Sequence, residues 1–271
     1  MKLDRASEQI SILEAETNEF FKINYKVVTE FENYTVQKGS IWLDGTVLPD
    51  IYLYENTLHM LQQAPTNEWS LRSGEIIHNL RGSLDHAVYE LAQIGSGQQV
   101  PPGEQQLQFP IFENLDKYKA RENQYLKSVN QLSKNFIELV QPFNNPNSLF
   151  LKFQQLSNWD KHRFLQFSVV FLDEYSFRNP ERVNNPSIVV TLGNRGLSGE
   201  RNVTEVRDGM KLSPISIHDP EGDHIEDYLI DIKFETIFAN GLSANESVIE
   251  ILKGIECEVR SVQEGLKTLI S

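Results

Sequence analysis

Arg81 and His86 stand five residues apart in the run His78-Asn79-Leu80-Arg81-Gly82-Ser83-Leu84-Asp85-His86, a pairing that suits cleavage of RNA by its own 2′-hydroxyl. An imidazole accepts the 2′-OH proton or protonates the departing 5′-oxygen. A guanidinium binds the phosphate bidentately and stabilises the charge that develops on it. The nucleophile arrives with the substrate, so this chemistry needs no metal or other cofactor. Five residues on an ideal helix amount to about 140° of rotation. One copy therefore converges poorly, and a symmetric homodimer would offer pairs from both subunits.

The same helix carries more ionisable groups. Glu75, His78, Arg81, Asp85, His86 and Tyr89 share one arc, while Ile76, Ile77, Leu80, Leu84, Ala87, Val88 and Leu91 share the opposite one. Solvated helix faces usually carry Lys, Glu and Gln, so two histidines, an arginine and a tyrosine mark this face as a candidate site. A second constellation is Asn158-Trp159-Asp160-Lys161-His162-Arg163. Its cations suit a helix C-terminus, and Asp160 or His162 is placed to meet the first helix in a shared polar recess. The catalytic candidates are Arg81, His86, Asp85, His78, Asp160 and His162; Asn79, Tyr89, Lys161 and Arg163 are the candidates for holding substrate.

Two other readings of these residues stay open. Glu75-Ile76-Ile77-His78 is the Glu-x-x-His step used in di-iron bundles, so Glu75, His78, His86 and His162 form an alternative metal set. Arg81 with Asp85 is also a favourable i,i+4 pair, and His78 with Asp160 would make a hydrogen-bonded network that only fixes helix register. His59, His218 and His224 lie in strand-edge or loop-like settings and read as surface residues.

The elements that must position these groups follow from periodicity. Leu3, Ala6, Ile10, Leu13, Thr17 and Phe20 predict a long amphipathic helix from residue 3 to about 32. Val248, Leu252, Ile255, Val259, Val262, Leu266 and Leu269 keep a heptad seam, entered through Ser243 or Asn245 as a cap. The two helices pack in one bundle or form a dimer seam. Helices are also expected over 73–94, 114–140 and 147–164, with a Gly/Pro/Gln-rich loop at 95–106 whose end, Phe109-Pro110-Ile111-Phe112, docks on the core. Ile41-Trp42-Leu43 and Ile51-Tyr52-Leu53 are short strand candidates. From Phe164 to Phe238 the period changes to two, with turns at Gly193-Asn194-Arg195-Gly196 and Asp219-Pro220-Glu221-Gly222-Asp223. The expected fold is α+β: a mainly helical bundle from 1–164 and 243–271, with a small inserted antiparallel β-sheet over 165–242.

Composition is that of an ordinary globular protein, 39% hydrophobic and 23% charged. A net charge of −13 argues against broad nonspecific binding to nucleic acid but not against a local basic recess. The single Cys257 excludes an intrachain disulfide and a multi-cysteine zinc site. No apolar run approaches membrane-spanning length, and the first residues lack a signal-peptide core. The expected location is cytoplasmic.

His78–His86, then Phe109-Pro110-Ile111, Gln141-Pro142-Phe143 and Asp160-Lys161-His162-Arg163, together resemble a family of bacterial proteins that carry a "HNLRSALDH" helix and a downstream "DKHR". The likeness spans roughly residues 1–170, with Gly82-Ser83 where the family has Ser-Ala. The helix is also similar to the Arg-x4–6-His signature of HEPN domains, which are dimeric helical bundles. Many of these are metal-independent ribonucleases in toxin–antitoxin and phage-defence systems, and others only bind partners. The resemblance implies a HEPN-like bundle with Arg81 and His86 as the catalytic pair, RNA as substrate, and a homodimer. It leaves the strand-rich segment 165–240 as a module for a protein partner, a ligand or oligomerisation.

Overall fold

The computed structural model describes residues 1–37, 51–162, 165–178, 189–192, 203–218, 229–241 and 243–269. The fold is α+β, with helices α1 (Lys2–Ile23), α2 (Thr66–Ser96), α3 (Leu115–Tyr125), α4 (Gln131–Leu139), α5 (Phe150–His162) and α6 (Val248–Thr268). The strands are β1 (Tyr25–Gln37), β2 (Ile51–Met60), β3 (Phe167–Arg178), β4 (Val189–Leu192), β5 (Val203–Glu205), β6 (Met210–His218) and β7 (Leu229–Phe238).

Two compact units divide the chain. Met1–Thr17, Pro65–Ser168 and Thr236–Ser271 make a helical unit, and Asn18–Ala64 with Val169–Glu235 make a sheet unit. The sheet unit is thus assembled from two stretches, where one insertion over 165–242 was expected. The difference begins at residue 24. The helix expected to run to about 32 ends at Ile23, and Tyr25-Lys26-Val27-Val28-Thr29 continues as strand. β-Branched and aromatic residues lose rotamer freedom in a helix and pack well on a pleated surface.

In the sheet unit one sheet runs β1-β2-β6-β4 and a second runs β5-β3-β7. β1 pairs antiparallel with β2 from Tyr25↔Met60 to Gln37↔Ile51, with a register shift between Glu30 and Tyr34. Leu58, Leu212 and Ile232 are buried together under Tyr25, Val27, Met210 and Phe234. Ile41-Trp42-Leu43 and the turns at 193–196 and 219–223 lie outside the described residues, as does His224. His59, on β2, pairs with Asp208 at 3.3 Å.

The core of the helical unit is the seam read from sequence. Ala6, Ile10 and Leu13 of α1, Ile76, Leu80, Leu84 and Val88 of α2, and Leu252, Ile255 and Val259 of α6 are all buried. The N-cap of α6 is Ser247, whose side chain accepts from the Glu250 N–H, and neither Ser243 nor Asn245 takes that place. Ser247 has Glu250 three residues on, the better match to a capping pair. α1 and α6 are tied by Ser7 Oγ donating to Glu256 Oε1 (2.6 Å) and by Arg260 Nη2 donating to Ser7 Oγ (2.9 Å).

The helix expected over 114–140 is two helices. Leu126 and Val129 turn inward, Ser128 adopts φ 65°, and Asn130 caps α4 by accepting from Ser133 N at 2.8 Å. The Ser128 carbonyl lies so near Gly95 that a Cβ there would come within 1.9 Å of it. This turn is therefore seated on the last turn of α2.

Candidate functional site

Helix α2 is longer than expected at both ends, closing at Gly97, whose left-handed φ of 66° lets its N–H reach the Gln93 carbonyl. Its polar arc is divided between two neighbours. Along one edge lies α1: Gln9 donates to Glu75 Oε2 and accepts from Asn79 Nδ2, both at 3.0 Å. Arg72 meets Glu16 at 3.0 Å, and Lys2 lies across Gly82, where a Cβ would come within 2.6 Å of its Nζ. Glu75 and Asn79 thus hold α1 in register.

Along the other edge, Arg81 Nη2 donates to the Phe109 carbonyl at 2.6 Å, while Asp85 Oδ1 accepts from the Phe109 N–H at 2.8 Å. The two side chains meet each other at 3.3 Å. Both backbone groups of Phe109, its N–H and its carbonyl, are therefore held by α2. Gln141, fully buried, holds the segment further along: its Nε2 donates to the Pro110 carbonyl (2.9 Å) and its Oε1 accepts from Phe112 N (3.1 Å). Segments 81–85, 109–112 and 141, far apart in sequence, meet along a single strap. Burial of Phe109, Pro110 and Ile111 is paid for by these four hydrogen bonds, because buried backbone groups need partners.

The second constellation reaches α2 through Asp160. Asp160 packs on α2 at Gly74, where a Cβ would sit 2.1 Å from Oδ1. A glycine at 74 is what lets α5 come so close. His78 is exposed and makes no hydrogen bond among the described residues, so the His78–Asp160 network is absent. His86 is exposed as well, on the α1 side of the arc and away from Arg81. Tyr89 OH reaches Glu104 Oε2 at 3.4 Å. Arg163 and the side chains of Lys161 and His162 lie outside the described residues. For the metal alternative, no three His, Cys, Asp or Glu side chains converge among the described residues, and Glu75 is engaged by Gln9.

Beside the strap is a recess of about 210 Å3 that sequence reasoning missed. It is lined by Arg81, by Gln108 to Phe112, by Tyr125, and by Gln154, Ser157 and Asn158 of α5. Arg81 is 15% exposed, and its Nε and Nη1 donate to nothing among the described residues. The Phe112 and Tyr125 rings lie parallel at 6.1 Å. Arg81, the docked Phe109–Phe112 segment and Asn158 were each legible singly; what was not is their meeting with Gln108, Tyr125 and Gln154, which only tertiary folding brings about.

Tyr118 supports this wall, edge-on to Phe112 at 6.4 Å and to Phe143 at 5.8 Å. Burial first, then the Glu122 and Glu138 carboxylates, push its phenol well above the ordinary value of 10.0. The unfolded chain ionises this phenol near that ordinary value while the folded chain keeps it neutral, so the stability involved is intact below about pH 10 and lost above it. Urea midpoints compared at about pH 8 and about pH 11 should fall less in Tyr118→Phe than in the wild type. Equal falls would mean that the phenol is not shielded.

Acidity is unevenly spread. The sheet unit holds ten Lys and Arg against nineteen Asp and Glu, the helical unit fifteen against nineteen. Most of the negative surplus thus belongs to the sheet unit. Among the described residues no helix is long and apolar enough to cross a membrane. Compared with protein-family models, curated proteins and solved structures, the chain finds no match. The strap, the recess and exposed His86 are what a functional reading has to stand on.

Proposed function

We propose that this chain is a HEPN-like, metal-independent endoribonuclease that acts as a homodimer. The observation that carries this reading is Arg81, fixed by Asp85 at the edge of an open polar recess with donors to spare, five residues from an exposed and uncommitted His86. In the reaction the 2′-oxygen attacks the adjacent phosphorus and the bond to the 5′-oxygen breaks. A neutral His86 takes the 2′-OH proton, the partner subunit's His86 in its protonated form gives one to the 5′-oxygen, and Arg81 meets the charge on the phosphate. Two copies are needed because Arg81 and His86 point about 140° apart on one helix. The resemblance to HEPN helices supports a role in phage defence or a toxin–antitoxin pair. The acidic sheet unit suits a basic protein partner.

A second reading, a non-catalytic binding or sensor subunit, is favoured by the strap itself, since Arg81 spends Nη2 on the Phe109 carbonyl and on Asp85.

Mixed single-stranded RNA incubated with the protein in EDTA separates the two. The ribonuclease reading expects cleavage to 2′,3′-cyclic phosphate ends, reduced roughly 10²–10⁴-fold in His86→Ala. The same variant should melt like the wild type, because an exposed, unbonded His86 holds nothing in place. No cleavage, or cleavage unchanged in His86→Ala, overturns the ribonuclease reading and leaves the binding one.

A further inference from the structure

We infer that the recess beside the strap is a binding slot for a single unstacked nucleobase. Its lining is polar, yet unspent: the side chains of Gln108, Tyr125, Gln154 and Asn158 make no hydrogen bond among the described residues, and neither do Nε and Nη1 of Arg81. Each amide offers one acceptor oxygen and two donor hydrogens, so the three together present both kinds of group to an occupant.

Charge narrows the class of ligand. Among the described residues Arg81 is the only cation or anion that lines the recess, and Asp85 at 3.3 Å offsets it. The described lining beyond Arg81 is uncharged and suits a neutral ligand rich in donors and acceptors, while Arg81 at the edge is left to meet the phosphate attached to it.

Shape narrows it further. At about 210 Å3 the recess is smaller than the roughly 300–1,000 Å3 clefts that take drug-sized molecules. The parallel rings of Phe112 and Tyr125, at 15° to one another, offer a flat surface on which a heterocycle can stack. Flat aromatic walls combined with amides that read a base edge are how unpaired bases are recognised. The source of the base, a single strand of RNA, rests on the ribonuclease reading; the chemistry of the slot does not.

The test titrates full-length protein with the four ribonucleosides, a single-stranded RNA decamer and the same RNA as a duplex, by calorimetry. At least one nucleoside should bind, and its affinity should fall about tenfold in Asn158→Ala and in Gln154→Ala, as loss of one hydrogen bond predicts. Asn158 is exposed, so Asn158→Ala should melt like the wild type and its loss of binding cannot be ascribed to misfolding. No nucleoside binding at millimolar concentration, or equal binding by both variants, overturns the slot. Binding of the single strand in preference to the duplex supports RNA as the source, and binding of nucleosides alone overturns that source. Nucleoside binding without RNA cleavage keeps the slot and sinks the ribonuclease; cleavage without nucleoside binding does the reverse.

Discussion

Gly241→Ala is expected to destabilise the helical unit by about 2–5 kcal/mol and to lower its melting temperature by roughly 5–20 °C. Two costs add. Gly241 has φ 82°, a left-handed conformation that costs an L-residue about 1–2 kcal/mol. Its missing Cβ is also the space that Trp159 fills: an added carbon would lie 2.1 Å from the ring carbon Cη2 and 2.8 Å from Gln155 Oε1. Forcing an extra carbon into packed surroundings costs about 1–3 kcal/mol. Gly97 supplies the control, because it shares the positive φ (66°) but has nothing within 4 Å of a Cβ. Gly97→Ala should therefore show the backbone cost alone. Thermal melts of the two variants decide the matter, and equal losses would mean that Trp159 does not press on position 241.

Arg81→Ala is expected to cost about 2–3 kcal/mol, read as a shift in the urea midpoint. The ion pair itself contributes little, because Arg81 and Asp85 are 15% and 32% exposed and such pairs are worth at most about 1 kcal/mol. The larger part is the charge-assisted hydrogen bond to the Phe109 carbonyl, which would otherwise be left without a donor beside a fully buried ring. Asp85→Asn is milder, about 1 kcal/mol, since its amide oxygen still accepts from the Phe109 N–H. Arg81→Lys should recover little, because an ammonium on a flexible stem does not reproduce the planar fork. Wild-type stability in Arg81→Ala would show that the strap is held by Gln141 and the buried rings alone.

Much of the helical architecture was legible because its signal is local. The apolar stripe of α2 and the heptads of α6 recur every three or four residues and need no knowledge of what they face. The pairing of Arg81 with Asp85 was legible for the same reason, one helical turn separating them. Their common target was not, because the Phe109 peptide belongs to another segment and carries no side-chain signature. The periodic reading went too far at Tyr25, where Val27, Val28 and Thr29 argue for strand but the preceding helical phase obscures the change. It also ran through Ser128, where a non-glycine residue at positive φ is stabilised by the burial of Leu126 and Val129 on either side. The surroundings of the histidines were not legible, because exposure depends on which neighbours arrive: Gln9 of α1 bonds Glu75 and Asn79, and His78 and His86 stay exposed.

The clasp between Ser7 and Glu256 spans 249 residues of chain. During synthesis at about 5–20 residues per second, α1 leaves the ribosome on the order of ten to fifty seconds before α6. Through that interval α2 is on hand, but the α6 side of the α1 stripe of Leu3, Ile10 and Leu13 stays open. The sheet strands emerge meanwhile and can pair among themselves. Nascent chains stalled before α6 should consequently expose a sticky helix and recruit chaperones, and release of the last helix should end that dependence.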